Sequence, residues 1–258
     1  MTWATKRQLQ YVGGLFGIFL IILFIFLYPV IFKKPSCTDG KKNGVEAGID
    51  CGGACSRMCL ETTSDPVVLW SRAFPVVGNT YNLVALIENQ NKNSGIENIP
   101  YEFRIYDVNN RLIGRRQGST FIPPNTQFAI FEPRFDFGQS QVKSVTFEFS
   151  APFNWIKKEP TLNTLPIYVD NITMGEDKKS PSLSAIIKNE SIYEIPSFDV
   201  IAILYDEERN AINASKTVKE GLSSNNSLPV FFTWPEPLTS EPVIKDVLIS
   251  INPFNVSF

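Results

Sequence analysis

Residues 99–113 read Ile-Pro-Tyr-Glu-Phe-Arg-Ile-Tyr-Asp-Val-Asn-Asn-Arg-Leu-Ile. Side chains in an extended strand alternate between two faces, so Phe103 and Ile105 point into a core while Tyr106 points away from it. Asp107 then opens a turn through Val108, Asn109 and Asn110, and Leu112-Ile113 begin a returning strand. The stretch reads as a β-hairpin with its aromatic residues in the core.

The same pattern returns at residues 195–212. Ile195-Pro196 leads into Ala202-Ile203-Leu204-Tyr205-Asp206, the turn is Glu207-Glu208-Arg209, and Ile212 lies on the way back. Upstream, Leu83 to Asn89 matches Leu183 to Asn189. Downstream, Phe128 to Pro133 matches Leu228 to Pro235, and Val145 to Phe149 matches Val247 to Ile251. Four matches in register at an offset of about 100 residues predict a tandem duplication. Further strands are expected at Tyr81 to Glu88, Tyr101 to Tyr106, Phe198 to Tyr205 and Val230 to Trp234. Short Val-, Ile-, Phe- and Tyr-rich runs between Asn, Gly and Pro clusters are the signature of a β-sandwich.

Phe103-Arg104-Ile105-Tyr106-Asp107 resembles the motif that names the FxLyD modules, small β-sandwiches of membrane-anchored prokaryotic proteins. Ile105 stands for the Leu of the motif. The second half keeps Leu204-Tyr205-Asp206 and has Ala202 in place of the Phe. The resemblance implies immunoglobulin-like sandwiches and leaves activity open.

Before these modules lies an uninterrupted apolar run, Tyr11 to Phe32, flanked by Lys6 and Arg7 on one side and Lys33 and Lys34 on the other. As a helix it reaches about 33 Å, enough to cross a bilayer core. It is longer than the core of a cleaved signal peptide, and Lys33-Lys34-Pro35-Ser36-Cys37 offers no small-residue cleavage site. Nor do Phe32 to Ser36 fit a lipid-attachment pattern. The run is expected to stay as a membrane anchor, with Gly13 and Gly17 forming a small-x-x-small face for a partner helix.

Four cysteines, Cys37, Cys51, Cys55 and Cys59, fall just beyond the anchor and are the only ones in the chain. A clustered even set predicts local disulfides in an oxidising compartment. A four-thiolate zinc site is the alternative, although Cys37 lacks a close partner in sequence. Direction in the membrane depends on the same residues. Lys33, Lys34, Lys41 and Lys42 outnumber Lys6 and Arg7, which by charge alone favours a cytoplasmic body, but long domains translocate largely regardless of charge. The cysteines decide for a cytoplasmic N-terminus and an extracytoplasmic body.

In residues 37–59 glycines recur at 40, 44, 48 and 52, and Asp39-Gly40 and Asn43-Gly44 are turn dipeptides. The oxygen donors Asp39, Asn43, Glu46 and Asp50 fit a calcium loop in part. On an EF-hand register Asp39, Asn43, Gly44 and Asp50 take positions 1, 5, 6 and 12, but Lys41 falls where a ligand belongs. The alternative is a disulfide-stapled turn cluster whose Asp and Asn shape the turns. From Cys37 through Cys55 the segment resembles a cysteine-rich motif of bacterial surface proteins, C-x-D-G-x-x-N-G-x-E-x-G-x-D-C-G-G-x-C, which implies an extracytoplasmic setting.

The chain has no histidine, which removes Ser-His and Cys-His catalysis and any imidazole-bound zinc. With 24 basic against 26 acidic residues and a net charge of -2 it has no electrostatic footprint for nucleic acid. Asp206-Glu207-Glu208-Arg209 and Glu176-Asp177-Lys178-Lys179 read as solvated turn charges. Phe231, Phe232 and Trp234 before Pro235-Glu236-Pro237 offer a binding edge, of which alternation places at least half in the core. Asn171, Asn189, Asn213, Asn225 and Asn255 each begin an Asn-x-Ser/Thr triplet.

The expected organisation is a cytoplasmic tail (1–10), a transmembrane helix (11–32), a cysteine-rich knob (37–59) and two tandem immunoglobulin-like β-sandwiches (66–155 and 160–258). The brief linkers Leu60 to Pro66 and Asn154 to Leu165 predict stiffly coupled modules. The expected role is a non-catalytic structural, adhesive or protein-binding module, with an accessory subunit of a secretion, pilus or transport assembly as the alternative. No cofactor is expected, calcium at the knob being the one candidate. Its partners are the membrane and a protein that the sequence does not name.

Overall fold

The computed structural model describes residues 3–31, 34–138, 140–158 and 165–256. Phe32, Lys33 and the middle of the expected inter-module linker, Glu159 to Thr164, lie outside the described residues. The chain forms two compact units, Met1–Cys55 and Ser56–Phe258.

The first unit begins with helix α1, Trp3–Ile31. Its apolar side chains cover the whole circumference and are exposed along the described length, and its mean hydropathy of 2.5 makes it long and apolar enough to cross a membrane. A helix that is apolar all round satisfies its own backbone groups and leaves its side chains for a non-aqueous surrounding. Pro29 sits near the end, and the helix runs only two residues beyond it. Beyond Lys34 the unit continues as turns.

The second unit is all-β. Its strands are β1 (Val67–Val77), β2 (Thr80–Asn89), β3 (Ser94–Asp107), β4 (Leu112–Ile122), β5 (Thr126–Asp136), β6 (Val142–Phe149), the two-residue β7 (Ile156–Lys157), β8 (Ile167–Met174), β9 (Ser182–Asn189), β10 (Phe198–Tyr205), β11 (Ala211–Lys219), β12 (Asn226–Thr233) and β13 (Ile244–Ser250). All pairings between these strands are antiparallel. The sheets run β1-β2-β5 and β4-β3-β6 in the first half, and β8-β9-β12 and β11-β10-β13 in the second. Apart from the two-residue β7, the two halves have the same connectivity strand for strand.

Each half encloses its own core. Leu83, Ile87, Phe103, Ile105, Ile130 and Phe147 fill the first, together with Trp155, which is 1% exposed. Trp155 therefore belongs to the first sandwich, and β7 pairs with the start of β3 just after it. Before the first strand, Met58 donates its backbone N–H to Trp155 O (2.9 Å) and packs on the same core. Leu183, Ile187, Val200, Leu204, Phe232 and Trp234 fill the second.

A third apolar layer couples the sandwiches. Phe74, Val84, Leu86, Ala129 and Phe131 from the outer face of β1-β2-β5 meet Ile201, Ile203, Tyr205, Ala211 and Ala214 from the outer face of β11-β10-β13. Two sheets are thus buried on both faces, and four sheets stack in layers. Beside the short linkers, a shared sheet face joins the two sandwiches.

Candidate functional site

The knob is built from carboxylates that hold backbone amides. Asp50 accepts the Gly40 N–H on both oxygens (2.9 and 3.1 Å). Asp39 accepts the Lys41 N–H (3.0 Å) and the Asn43 Nδ2–H (2.8 Å), and the Asn43 bond first, then these amides, holds its carboxyl below the usual range. Glu46 Oε2 accepts the N–H groups of Asn43 (3.3 Å) and Asp50 (3.4 Å). The four oxygen-donor residues are therefore brought into one turn cluster in which every carboxylate caps a turn. Asn43 Oδ1 is buried and accepts nothing.

The sulfurs are oxidised. Cys37 and Cys55 form a disulfide with Cα atoms 5.7 Å apart, Cys51 and Cys59 are disulfide-bonded as well, and no cysteine is free. Glu46 Oε1 lies 3.5 Å from Cys55 Sγ. Because a disulfide sulfur carries no proton and no thiolate charge, Cys37, Glu46 and Cys55 do not make a metal triad. Gly53 has φ +59°, and a Cβ there would meet Val45 O at 1.8 Å, so the chain crosses itself at a point only glycine fits.

In the sandwiches, the aspartates of the two hairpins are turn caps. Asp107 Oδ1 accepts the N–H groups of Asn109 (2.8 Å) and Arg111 (2.9 Å), and its Oδ2 accepts Arg111 Nε–H (3.0 Å). Asp206 accepts the Asn210 N–H in the same way (2.7 Å). The charged turn clusters sit on exposed loops, where Lys178 and Glu241 are 4.0 Å apart and both open to solvent. Of the aromatic edge, Phe232 and Trp234 are core residues and Phe231 is 64% exposed.

Three polar arrangements have no counterpart in the sequence reading. Asn89 and Asn189, at matching positions, are buried staples. Asn89 Nδ2 donates to Ser94 O (3.0 Å) and Pro123 O (2.7 Å), and Asn189 Nδ2 to Tyr193 O (2.8 Å) and Ser223 O (3.1 Å). Glu132 on β5 accepts from Tyr101 Oη on β3 (2.7 Å) and Arg116 Nε on β4 (2.8 Å), clasping the two sheets of the first sandwich. Burial, and then this bond, pushes the Tyr101 hydroxyl far above its usual range. The outer face of β4-β3-β6 carries a charged ladder in which Arg104 binds Glu102 (2.5 Å) and Glu148, and Gln117 donates to Glu102 (2.7 Å).

Surface clefts lie on the second sandwich and along the seam. One, of about 410 Å³, lies at an end of the second sandwich against Asp177, Lys178, Leu238, Glu241 and Lys245. The other, of about 530 Å³, runs along the seam past Arg72, Ser144, Asp206 and Asn210. Arg72 is already committed there, donating to Ala211 O (2.7 Å) and Asn210 Oδ1 (3.3 Å).

No family model matches the sequence, and no curated protein matches it. Among solved structures, the chain is similar to a red sea bream transglutaminase at 11% identity and a TM-score of 0.24, covering 72% of this chain and 31% of that one. It is also similar to a chain from a chaperone–tip adhesin complex of CFA/I fimbriae, at 14% identity and a TM-score of 0.20, covering 70% of this chain and 94% of that one. The chain thus spans about a third of the transglutaminase.

Proposed function

We propose that this protein is a single-pass, membrane-anchored display module. Its N-terminus is cytoplasmic, and its knob and paired sandwiches lie outside the membrane as a non-catalytic structural or protein-binding element. The observation that carries the reading is disulfide closure of the knob within one short segment of a helix long enough to span a bilayer. Structural disulfides persist outside the cytosol, which supports the outward placement of the body. The matching connectivity of the halves and their repeated Asn staples and Asp caps support descent from a duplicated module of the FxLyD kind.

Protease shaving of intact cells that express a C-terminally tagged chain tests the orientation. Loss of the tag with cytosolic markers intact is expected, and a protected tag overturns it.

A second reading, an accessory subunit of a secretion, pilus or transport assembly, is favoured by one feature of α1. Gly13 and Gly17, one turn apart on α1 and without side chains, form a small-x-x-small strip on which a neighbouring helix can pack closely. Crosslinking in mild detergent distinguishes the readings. A defined partner band that disappears in Gly13→Leu and Gly17→Leu supports the subunit, and a chain that is monomeric throughout supports the free-standing module.

A further inference from the structure

Of the eight asparagines after residue 165, five begin an Asn-x-Ser/Thr triplet, whereas none of the twelve before it does. The triplets are therefore concentrated in one sandwich, although both halves are rich in asparagine. The structure divides them sharply. Asn189 is 0% exposed with its Nδ2 donated to three carbonyls, and Asn213 is 8% exposed. Asn171, Asn225 and Asn255 are exposed.

Asn171 lies at the irregularity between Asp170 and Thr173 on β8, an edge strand, and Asn225 ends the loop before β12. Both have left-handed backbones, at φ +52° and +51°. That conformation favours asparagine by itself, but it does not call for a hydroxyl residue two positions later. Thr173 and Ser227 supply that hydroxyl, and so does Ser257 for Asn255 in sequence.

We propose that the folded protein is N-glycosylated at Asn171, Asn225 and Asn255 and left unmodified at Asn189 and Asn213. This rests on the outward orientation argued above, because the donor is a lipid-linked oligosaccharide on the outer side of the membrane. Asn Nδ2 bonds to C1 of the first sugar and loses a proton. The C1–O bond to the lipid diphosphate breaks, and the diphosphate leaves with the electron pair. Two of the acceptors border the sheet β8-β9-β12, whose free edge and exposed Phe231 a glycan would cover. Bulky groups on an edge strand prevent pairing with other chains.

The test is peptide mass spectrometry on the full-length protein purified from its own source, beside protease shaving of the same cells. Sugar increments on peptides containing Asn171, Asn225 and Asn255, with unmodified Asn189 and Asn213, are expected. The triple variant Thr173→Val, Ser227→Ala and Ser257→Ala, which removes each hydroxyl and keeps the left-handed Asn171 and Asn225, should lose the mobility shift while keeping its melting temperature. Unmodified peptides from a chain whose C-terminal tag is accessible outside overturn the proposal alone, and sugar on Asn189 or Asn213 overturns the sorting by burial. An inaccessible tag overturns the orientation as well.

Discussion

Single residues account for what repeats between the halves. Asp107 and Asp206 occupy the same turn because a carboxylate there can accept the amides of the following residues, which Glu, one methylene longer, does less well. The Arg111 amide first, then its guanidinium and the Asn109 amide, hold the Asp107 carboxyl below the ordinary range. A carboxyl whose folded value is depressed contributes stability above its unfolded value of about 4, and loses it as pH falls through the folded value. The stability difference between wild type and Asp107→Asn, read from urea midpoints, should be full at pH 7 and shrink below pH about 4. The inter-sheet clasp gives a second test. Tyr101→Phe leaves Glu132 one donor short in a buried setting and should cost about 1–3 kcal/mol in urea unfolding.

At the scale of strands, the decisive comparison is β3 with β10. Glu102 and Arg104 stand where Ile201 and Ile203 stand in the matching strand, and the difference decides which outer face is covered. The first pair lies in the charged ladder of a free face, and the second is buried against the other sandwich. Ile203→Arg should therefore open the seam and cost about 3–5 kcal/mol, whereas Arg104→Ile, which removes the cation beside Glu102, should cost less than Ile203→Arg while lowering solubility. This also marks what the sequence disclosed. The hairpins and the core-facing Phe103 and Ile105 were legible because alternation betrays a sheet wetted on one side. The seam was not read from the sequence, where coupling is expected from short linkers. The continuous apolar runs Leu83 to Ile87, Phe128 to Phe131 and Val200 to Tyr205 nonetheless carry its mark, since a strand covered on both faces does not alternate. The clasp and the Asn staples were not legible, because each joins residues from separate strands or loops and no short-range pattern encodes such a meeting. In the knob, the oxygen donors were visible in sequence, but their geometry around Gly40, Lys41 and Asn43 was not.

For the whole molecule, a shared apolar layer between sandwiches predicts joint unfolding. Calorimetry of residues 56–258 should show one transition, which separates into two in Ile203→Arg. The knob answers to different forces. It has many turns and little core, so its order depends on crosslinks, and its carboxylates already hold amides. Chelator should therefore leave its amide-exchange protection unchanged, and reductant should abolish it. The outward orientation requires the knob to form outside the membrane, and thiol labelling of intact cells with a membrane-impermeant maleimide tests that most directly. It predicts no labelling until an external reductant is added and up to four labels afterwards. Cysteines that label without reductant, and only once the cells are permeabilised, would contradict it.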